Sequence, residues 1–159
     1  MIEVKPYNIK QSEVQVPGSK SYTHRMLIAG ALSDGVCVIK NALFSEDTLL
    51  TMAALKQMGI QIEVRKDDLL VHGQSGRLAS CEAPIYLGNS GTSMRLLTAV
   101  AALGKRRYTL TGTVRMHKRP IKDLLEALEQ IRVKARSLND AGCPPVEVTG
   151  ATINVDEVD

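Results

Sequence analysis

The chain has 159 residues, 44% of them hydrophobic and 23% charged, so it can bury a core and matches one ordinary domain or two small lobes. Twenty Lys and Arg against seventeen Asp and Glu give a formal charge of +3, a mild basic bias that points toward small anions as partners. Four Tyr, one Phe and no Trp offer few stacking platforms, which argues against a reader of single-stranded nucleic acid. Cys37, Cys81 and Cys143 form no C-x-x-C pair, and His24, His72 and His117 lack metal-ligand spacing, so neither a disulfide framework nor a metal site is expected. No basic-then-apolar leader opens the chain and no apolar run approaches the ~18 residues of a membrane span, so a soluble protein of a reducing cytoplasm is expected.

Ile2 to Lys5 and Glu13 to Val16 predict short strands, and Pro17-Gly18-Ser19 ends the second before a helix from about Lys20 to Ser33. Ser19 or Ser21 can cap that helix, and Arg25 falls one turn beyond Ser21 on the same face. A lysine at the first helical position opposes the helix dipole, so a reason other than helix stability is sought for Lys20. A strand over Val36 to Lys40 follows, then a helix from Asp47 to Met58 with Leu49, Leu50, Met52, Ala53, Leu55 and Met58 at helical spacing and Gly59 as its stop. Gln61 to Arg65 and Leu69 to His72 flank Lys66-Asp67-Asp68 as a hairpin. A polar connection runs from Gly73 to Ala83.

The same order then recurs: a helix from Gly91 to Leu103, a strand from Arg107 to Thr111, a helix from Pro120 to Ile131, and strands over Val133 to Ser137 and Pro145 to Thr149. Arg25-Met26-Leu27 answers to Arg95-Leu96-Leu97, Ala53-Ala54-Leu55 to Glu126-Ala127-Leu128, and His72-Gly73 to Thr149-Gly150, at offsets of 70, 73 and 77. Each unit with its leading strand is βαβαββ, which makes the chain an α/β protein of tandem repeats. The division is residues 1–16 as opening strands, 17–83 as the first repeat and 84–159 as the second.

Leu87-Gly88-Asn89-Ser90-Gly91-Thr92 joins a glycine-bearing turn to the most apolar helix of the chain. Asn89, Ser90 or Thr92 can cap that helix, and the N–H groups of its first turn suit a phosphate or carboxylate. Duplication puts the helix starts at Lys20 and Gly91 in equivalent places, so two anion-type termini face one region. The second unit adds Arg115-Met116-His117-Lys118-Arg119-Pro120-Ile121, with Pro120 expected at the first helical position and Arg119 just before it. A guanidinium there can fork onto an anion bidentately.

Pro17-Gly18-Ser19-Lys20-Ser21 with Arg25, Leu87 to Thr92 with Met94-Arg95, and Arg115-Met116 with Arg119-Pro120-Ile121 together resemble the 5-enolpyruvylshikimate-3-phosphate synthase family. The three motifs stand in family order, and the similarity runs from about residue 2 to the last residue. The resemblance implies part of one lobe of the enolpyruvyl transferase inside-out α/β barrel, a fold of two lobes and six βαβαββ units with the active site between the lobes. It implies transfer of the enolpyruvyl group of phosphoenolpyruvate to the 5-hydroxyl of shikimate 3-phosphate with release of phosphate, without metal or organic cofactor. Lys20 would touch both substrates, Ser21 and Arg25 would hold shikimate 3-phosphate, and Asn89, Gly91, Thr92 and Arg119 would surround phosphoenolpyruvate. Lys20 and Arg119 carry the catalytic expectation. The family's Ser-Ser-Gln segment and second lobe are not in the sequence, so a monomeric fragment, inactive alone, is expected, with the second lobe as its missing partner.

Leu96 stands where the family commonly has proline, and Ser90 and Ser93 where it has small residues; none of these removes a ligand. Tyr22-Thr23-His24 replaces smaller residues between the serine and the arginine. Arg132 stands where the first unit has Gly59, and a locally different helix end is expected there. Two alternatives carry weight. UDP-N-acetylglucosamine enolpyruvyl transferase shares the repeat, but it usually places Asn after the lysine and often a Cys in the loop before the arginine, where this chain has Ser21 and a cysteine-free Val114 to Pro120. A βαβ-type RNA-binding module would need a denser basic run and more aromatics, and steep salt dependence would reveal it.

Overall fold

The structure, a computed structural model, describes residues 3, 5, 6 and 11–150. The first unit runs α1 (Lys20–Leu32), β1 (Asp34–Ile39), α2 (Glu46–Gln57), β2 (Gln61–Arg65) and β3 (Asp68–Gln74). Ser19 caps α1 by accepting from the Tyr22 N–H. Ser45 caps α2, with Thr48 returning the bond to the Ser45 N–H in a capping box. The three strands form an antiparallel sheet in the order β1-β3-β2. Arg65 pairs with Asp68, so the hairpin turn is the two residues Lys66 and Asp67, with Lys66 at φ 55°.

The second unit runs β4 (Ile85–Tyr86), α3 (Gly91–Ala101), β5 (Arg107–Thr111), a 3-10 turn (Met116–Lys118), α4 (Lys122–Gln130), β6 (Lys134–Ser137) and β7 (Val146–Thr149). Its sheet has the order β4-β5-β7-β6, with β4 parallel to β5 and the other pairs antiparallel. Remove β4 and the two sheets have one topology. Burial keeps the same phase. At the offset of 70, Thr23, His24, Leu27, Gly30 and Ala31 answer to Ser93, Met94, Leu97, Val100 and Ala101, all buried. Met52 and Leu55 answer to Leu125 and Leu128 at 73, and Leu69 and Val71 to Val146 and Val148 at 77, again all buried. Alternating strand residues face the helices, where the core lies.

Several expectations are corrected. Glu13 to Val16 form no strand, and Val14 and Val16 are 75% and 70% exposed. The strand expected over Ile2 to Lys5 falls outside the described residues but for Glu3 and Lys5, which are in no strand. Leu49 and Ala53 point outward from α2, and Thr48, Thr51 and Ala54 take the core positions. Helix α4 begins at Lys122 with Ile121 as cap, so Pro120 lies outside it; the Ile121 N–H is bonded to the Gly142 carbonyl, and Ile121 takes the non-helical φ −137°, ψ 7°. The short strand β4 has too few residues to show an alternation in sequence.

The connection after β3 is not a loose linker. Ala79 donates its N–H to the Met58 carbonyl, Gln57 Nε2 to the Ala83 carbonyl, and Cys81 Sγ to the Gln57 carbonyl. From the second unit, the buried Tyr108 donates its hydroxyl to the Ala79 carbonyl at 3.0 Å.

Arg132 also overturns its expectation. It takes φ 64°, and its N–H bonds to Glu129 O and that of Val133 to Leu128 O, as Gly59 and Ile60 do on Lys56 O and Leu55 O. The helix end is the same; only the residue differs. A side chain in that conformation costs about 1 kcal/mol or more, and a cation at a helix C-terminus returns about 0.3 to 1. Arg132→Gly is therefore expected to raise unfolding stability by about 0.5 kcal/mol in urea titration. Gly59→Ala should lower it by more, because a Cβ there would lie 2.8 Å from that of Ala79 as well as at φ 90°.

Candidate functional site

Ser90 caps α3, its hydroxyl accepting from the Ser93 N–H. Gly88, at φ 53°, turns the chain into it, and its carbonyl accepts from the Thr113 N–H at 2.9 Å. Gly112 permits that approach, since a Cβ there would lie 2.2 Å from the Gly88 oxygen. The loop beyond is anchored by Met116, fully buried, and by His117 Nε2 within 2.9 Å of Thr111 Oγ1. It delivers Arg119 onto the start of α3. Arg119 Nη1 donates to the Asn89 carbonyl at 2.9 Å, and its guanidinium lies so close over Gly91 that a Cβ would fall 2.3 to 2.7 Å from it. Arg95, one turn into α3, donates Nη1 to Gly91 O at 3.2 Å and Nη2 to Pro120 O at 2.7 Å, bracing both sides of this contact.

These groups line an open cavity of about 270 Å³ with Arg25, Gly91, Thr92, Arg95, Leu96 and Arg119 on its walls. Arg25 also lines a neighbouring hollow with Ser21 and Tyr22, and its Nη1 donates to the Ser21 carbonyl and hydroxyl. Of the expected site residues, Arg25, Gly91, Thr92 and Arg119 thus meet at one cavity and Ser21 joins through Arg25. Asn89 enters through its backbone carbonyl. Lys20 lines neither hollow; its Nζ is 3.0 Å from Asp47 Oδ2 in the first turn of α2. Both partners are solvated, so the pair is worth at most about 1 kcal/mol and leaves the lysine easily redirected. Arg115 and Lys118 stay exposed.

A buried polar chain lies beneath the site, unforeseen in the sequence. His24 Nδ1 is 2.9 Å from Thr51 Oγ1, Thr51 Oγ1 is 2.8 Å from Ser93 Oγ, and Ser93 Oγ is 2.6 Å from Ser90 Oγ. It joins the second turns of α1 and α2 to the first turn and cap of α3. The signal available in sequence was the phase: Thr51 and Ser93 are hydroxyls at core positions of apolar stripes. His24 is thereby turned away from the pocket, and of the Tyr22-Thr23-His24 departure only Tyr22 faces it, since Thr23 is buried and accepts from the Leu43 N–H. Burial holds the His24 imidazole below its ordinary value, Lys20 and Arg25 adding to the effect and Asp47 opposing it. Burial likewise pushes the Cys81 thiol up, away from the reactive thiolate form.

No three His, Cys, Asp or Glu among the described residues cluster to hold a metal, and no helix among them is long and apolar enough to cross a membrane.

The sequence model of one family, EPSP synthase (3-phosphoshikimate 1-carboxyvinyltransferase), matches residues 4–159. The 3-phosphoshikimate 1-carboxyvinyltransferase of Methanothermobacter thermautotrophicus is 43% identical over 140 residues, covering 88% of this chain and 33% of the relative. That of Paraburkholderia phymatum is 37% identical over 155 residues, covering 98% and 36%. The chain thus spans about a third of the length of these curated relatives. Among solved structures, EPSP synthase from Acinetobacter baumannii superposes with a TM-score of 0.81 at 34% identity, over 86% of this chain and 31% of that one. The enolpyruvyl transferase NikO from Streptomyces tendae, at 15% identity and a TM-score of 0.53, shares the fold.

Gly91→Ala is expected to push the Arg119 guanidinium off Asn89 while leaving stability within about 1 kcal/mol, because the clash is with a flexible tip and alanine favours the helix. The Arg119 side-chain resonance should move. The lowered His24 value also sets a sign. Below the ordinary value of 6.5 the unfolded chain takes up a proton that the folded chain refuses, so stability falls as pH drops through this window. Urea unfolding at pH 7.5 and 5.5 should show a smaller difference in His24→Asn than in the parent.

Proposed function

This chain belongs to the EPSP synthase family, and on that premise we propose that it carries part of the substrate-binding half of an enzyme that moves the enolpyruvyl group of phosphoenolpyruvate to the 5-hydroxyl of shikimate 3-phosphate. In that reaction the hydroxyl gives up its proton and adds to the phosphate-bearing carbon while the methylene carbon takes a proton, a tetrahedral intermediate forms, and its collapse expels phosphate with loss of a proton from the new methyl group. Lys20 contacts both substrates, Ser21 and Arg25 hold shikimate 3-phosphate, and Asn89, Gly91, Thr92 and Arg119 receive phosphoenolpyruvate. Residues 17–83 and 84–159 are the two repeats of this half, residues 1–16 lead into it, and the protein works in the cytoplasm as a monomer with a second lobe closing over the cleft.

The observation that carries this reading is the Arg119 guanidinium laid on Gly91 at the start of α3, with Arg25 on the wall of the same cavity. Two guanidiniums and a helix N-terminus converge where a dianionic group would be needed. The chemistry these groups supply is positioning and electrostatic stabilisation of charge that shifts between addition and elimination. Lys20, lightly held by Asp47, can swing to a substrate oxygen at small cost.

Without closure, water screens each contact, so binding by the 159-residue chain should be weak. A dissociation constant on the order of 1 mM or poorer is expected for phosphate or phosphoenolpyruvate, about −4 kcal/mol. Amide shifts should centre on Asn89 to Thr92 with Lys20 and its neighbours responding, and Arg119→Ala should weaken them with the fold intact, since buried Ile121, Leu125 and Leu128 hold α4. Shifts confined to remote surface lysines would sink the site. No phosphate should be released from the two substrates together; sustained turnover by the pure chain would show that no second lobe is required.

A further inference from the structure

His24 is fully buried and hydrogen-bonds to none of the groups assigned to a substrate, yet three successive hydrogen bonds join it to the cap of α3. Its other ring nitrogen, Nε2, is buried without a partner. An orphaned buried N–H is rarer and dearer than an unfilled lone pair, so the single ring proton of neutral His24 belongs on Nδ1. That choice sets the polarity of the whole chain. Nδ1–H donates to Thr51 Oγ1, which frees the Thr51 proton for Ser93 Oγ and the Ser93 proton for Ser90 Oγ. The competing acceptor, the Asp47 carbonyl, is 3.4 Å from Thr51 Oγ1 and 3.3 Å from Ser93 Oγ, against 2.8 and 2.6 Å along the chain, so the shorter bonds take the protons. Ser90 then accepts from both the N–H and the hydroxyl of Ser93, which fixes it as the cap from which the Gly91 and Thr92 N–H groups are aimed.

We propose that His24 is a positioning residue for the phosphate-binding end of α3: acting through Thr51 and Ser93, it pins Ser90 and so sets the Gly91–Thr92 turn on which Arg119 rests. The inference rests on the anion-site reading of that turn. Removing the imidazole takes away the donor that fixes this direction: Ser93 can then donate to Thr51 and Thr51 to the Asp47 carbonyl, and the cap of α3 loses its one defined bonding pattern. An asparagine at 24 keeps an amide N–H where Nδ1–H stood; a leucine keeps only the bulk.

The test uses the 159-residue chain at pH 8, with inorganic phosphate as the probe. Imidazole nitrogen shifts are expected to show the Nδ1–H tautomer. His24→Leu should weaken phosphate binding about tenfold and speed amide exchange across Gly91 to Met94, with exchange at Leu27 to Ala31 unchanged, as supporting groups behind a ligand shell do. His24→Asn should return both toward the parent, and Thr51→Val, which leaves the histidine packed, should reproduce His24→Leu. If His24→Leu does not fold, Thr51→Val stands in its place in each comparison. An Nε2–H tautomer, a His24→Leu protein that binds and exchanges like the parent, or a His24→Asn protein no better than His24→Leu would each overturn the proposal. A parent chain with no phosphate response at Asn89 to Thr92 would remove the anion reading instead, and the exchange comparison alone would then decide the role of His24.

Discussion

Three helices are fastened to one another within their N-terminal halves by an imidazole and three hydroxyls, and the arrangement of the candidate site follows from that constraint. The chain His24, Thr51, Ser93, Ser90 crosses from α1 to α2 to α3 inside the core. Its hold lies in an asymmetry. Each such bond contributes only about 0.5 to 1.5 kcal/mol net, but separating the helices would strand several buried polar atoms at about 1 to 3 kcal/mol apiece. The positive ends of the helix dipoles are thereby gathered in one place, which a packed core would otherwise avoid. Asp47, in the first turn of α2, answers part of that field, and Lys20 beside it takes up part of that charge.

Arg119 depends on the second unit in another way. Its guanidinium is placed by contacts made before any ligand arrives: Met116 sunk in the core, the Gly88 carbonyl pinned under Thr113, the Asn89 carbonyl as acceptor, and Arg95 tying Pro120 back to α3. Pre-set donors of this kind need little reorganisation when charge develops near them. The smallest side chain in the chain, at Gly91, decides how near that donor comes to the helix.

Much of the scaffold was legible because apolar periodicity reports burial directly. The offsets of 70, 73 and 77 taken from short residue matches are the same offsets at which buried positions of the two units coincide, and the helix starts at Lys20 and Gly91 were set by capping residues and glycines. What escaped has a common cause. A count of apolar residues passes over Thr51 and Ser93, whose partner lies on another helix. The exposed Val14 and Val16 satisfied an alternation with no sheet to join. Arg132 holds a backbone conformation that glycine alone would have announced, because the two bonds closing α4 need the turn and tolerate the side chain. Of the site, residue types near helix termini were readable, while the distance of Lys20 from the cavity, set by Asp47 of another helix, was not.

The stitched connection between the units has a mechanical meaning. Ser75 is bonded to Ser33 O, Ala79 to Met58 O and to the Tyr108 hydroxyl, and Ala83 to Gln57, so the strand of chain that links the repeats is riveted to α1, α2 and β5 along its length. A segment so held cannot act as a pivot. The two repeats are thereby braced against each other, and any domain that closed over this surface would meet Arg25 and Arg119 as one prearranged pair on the wall of a single cavity.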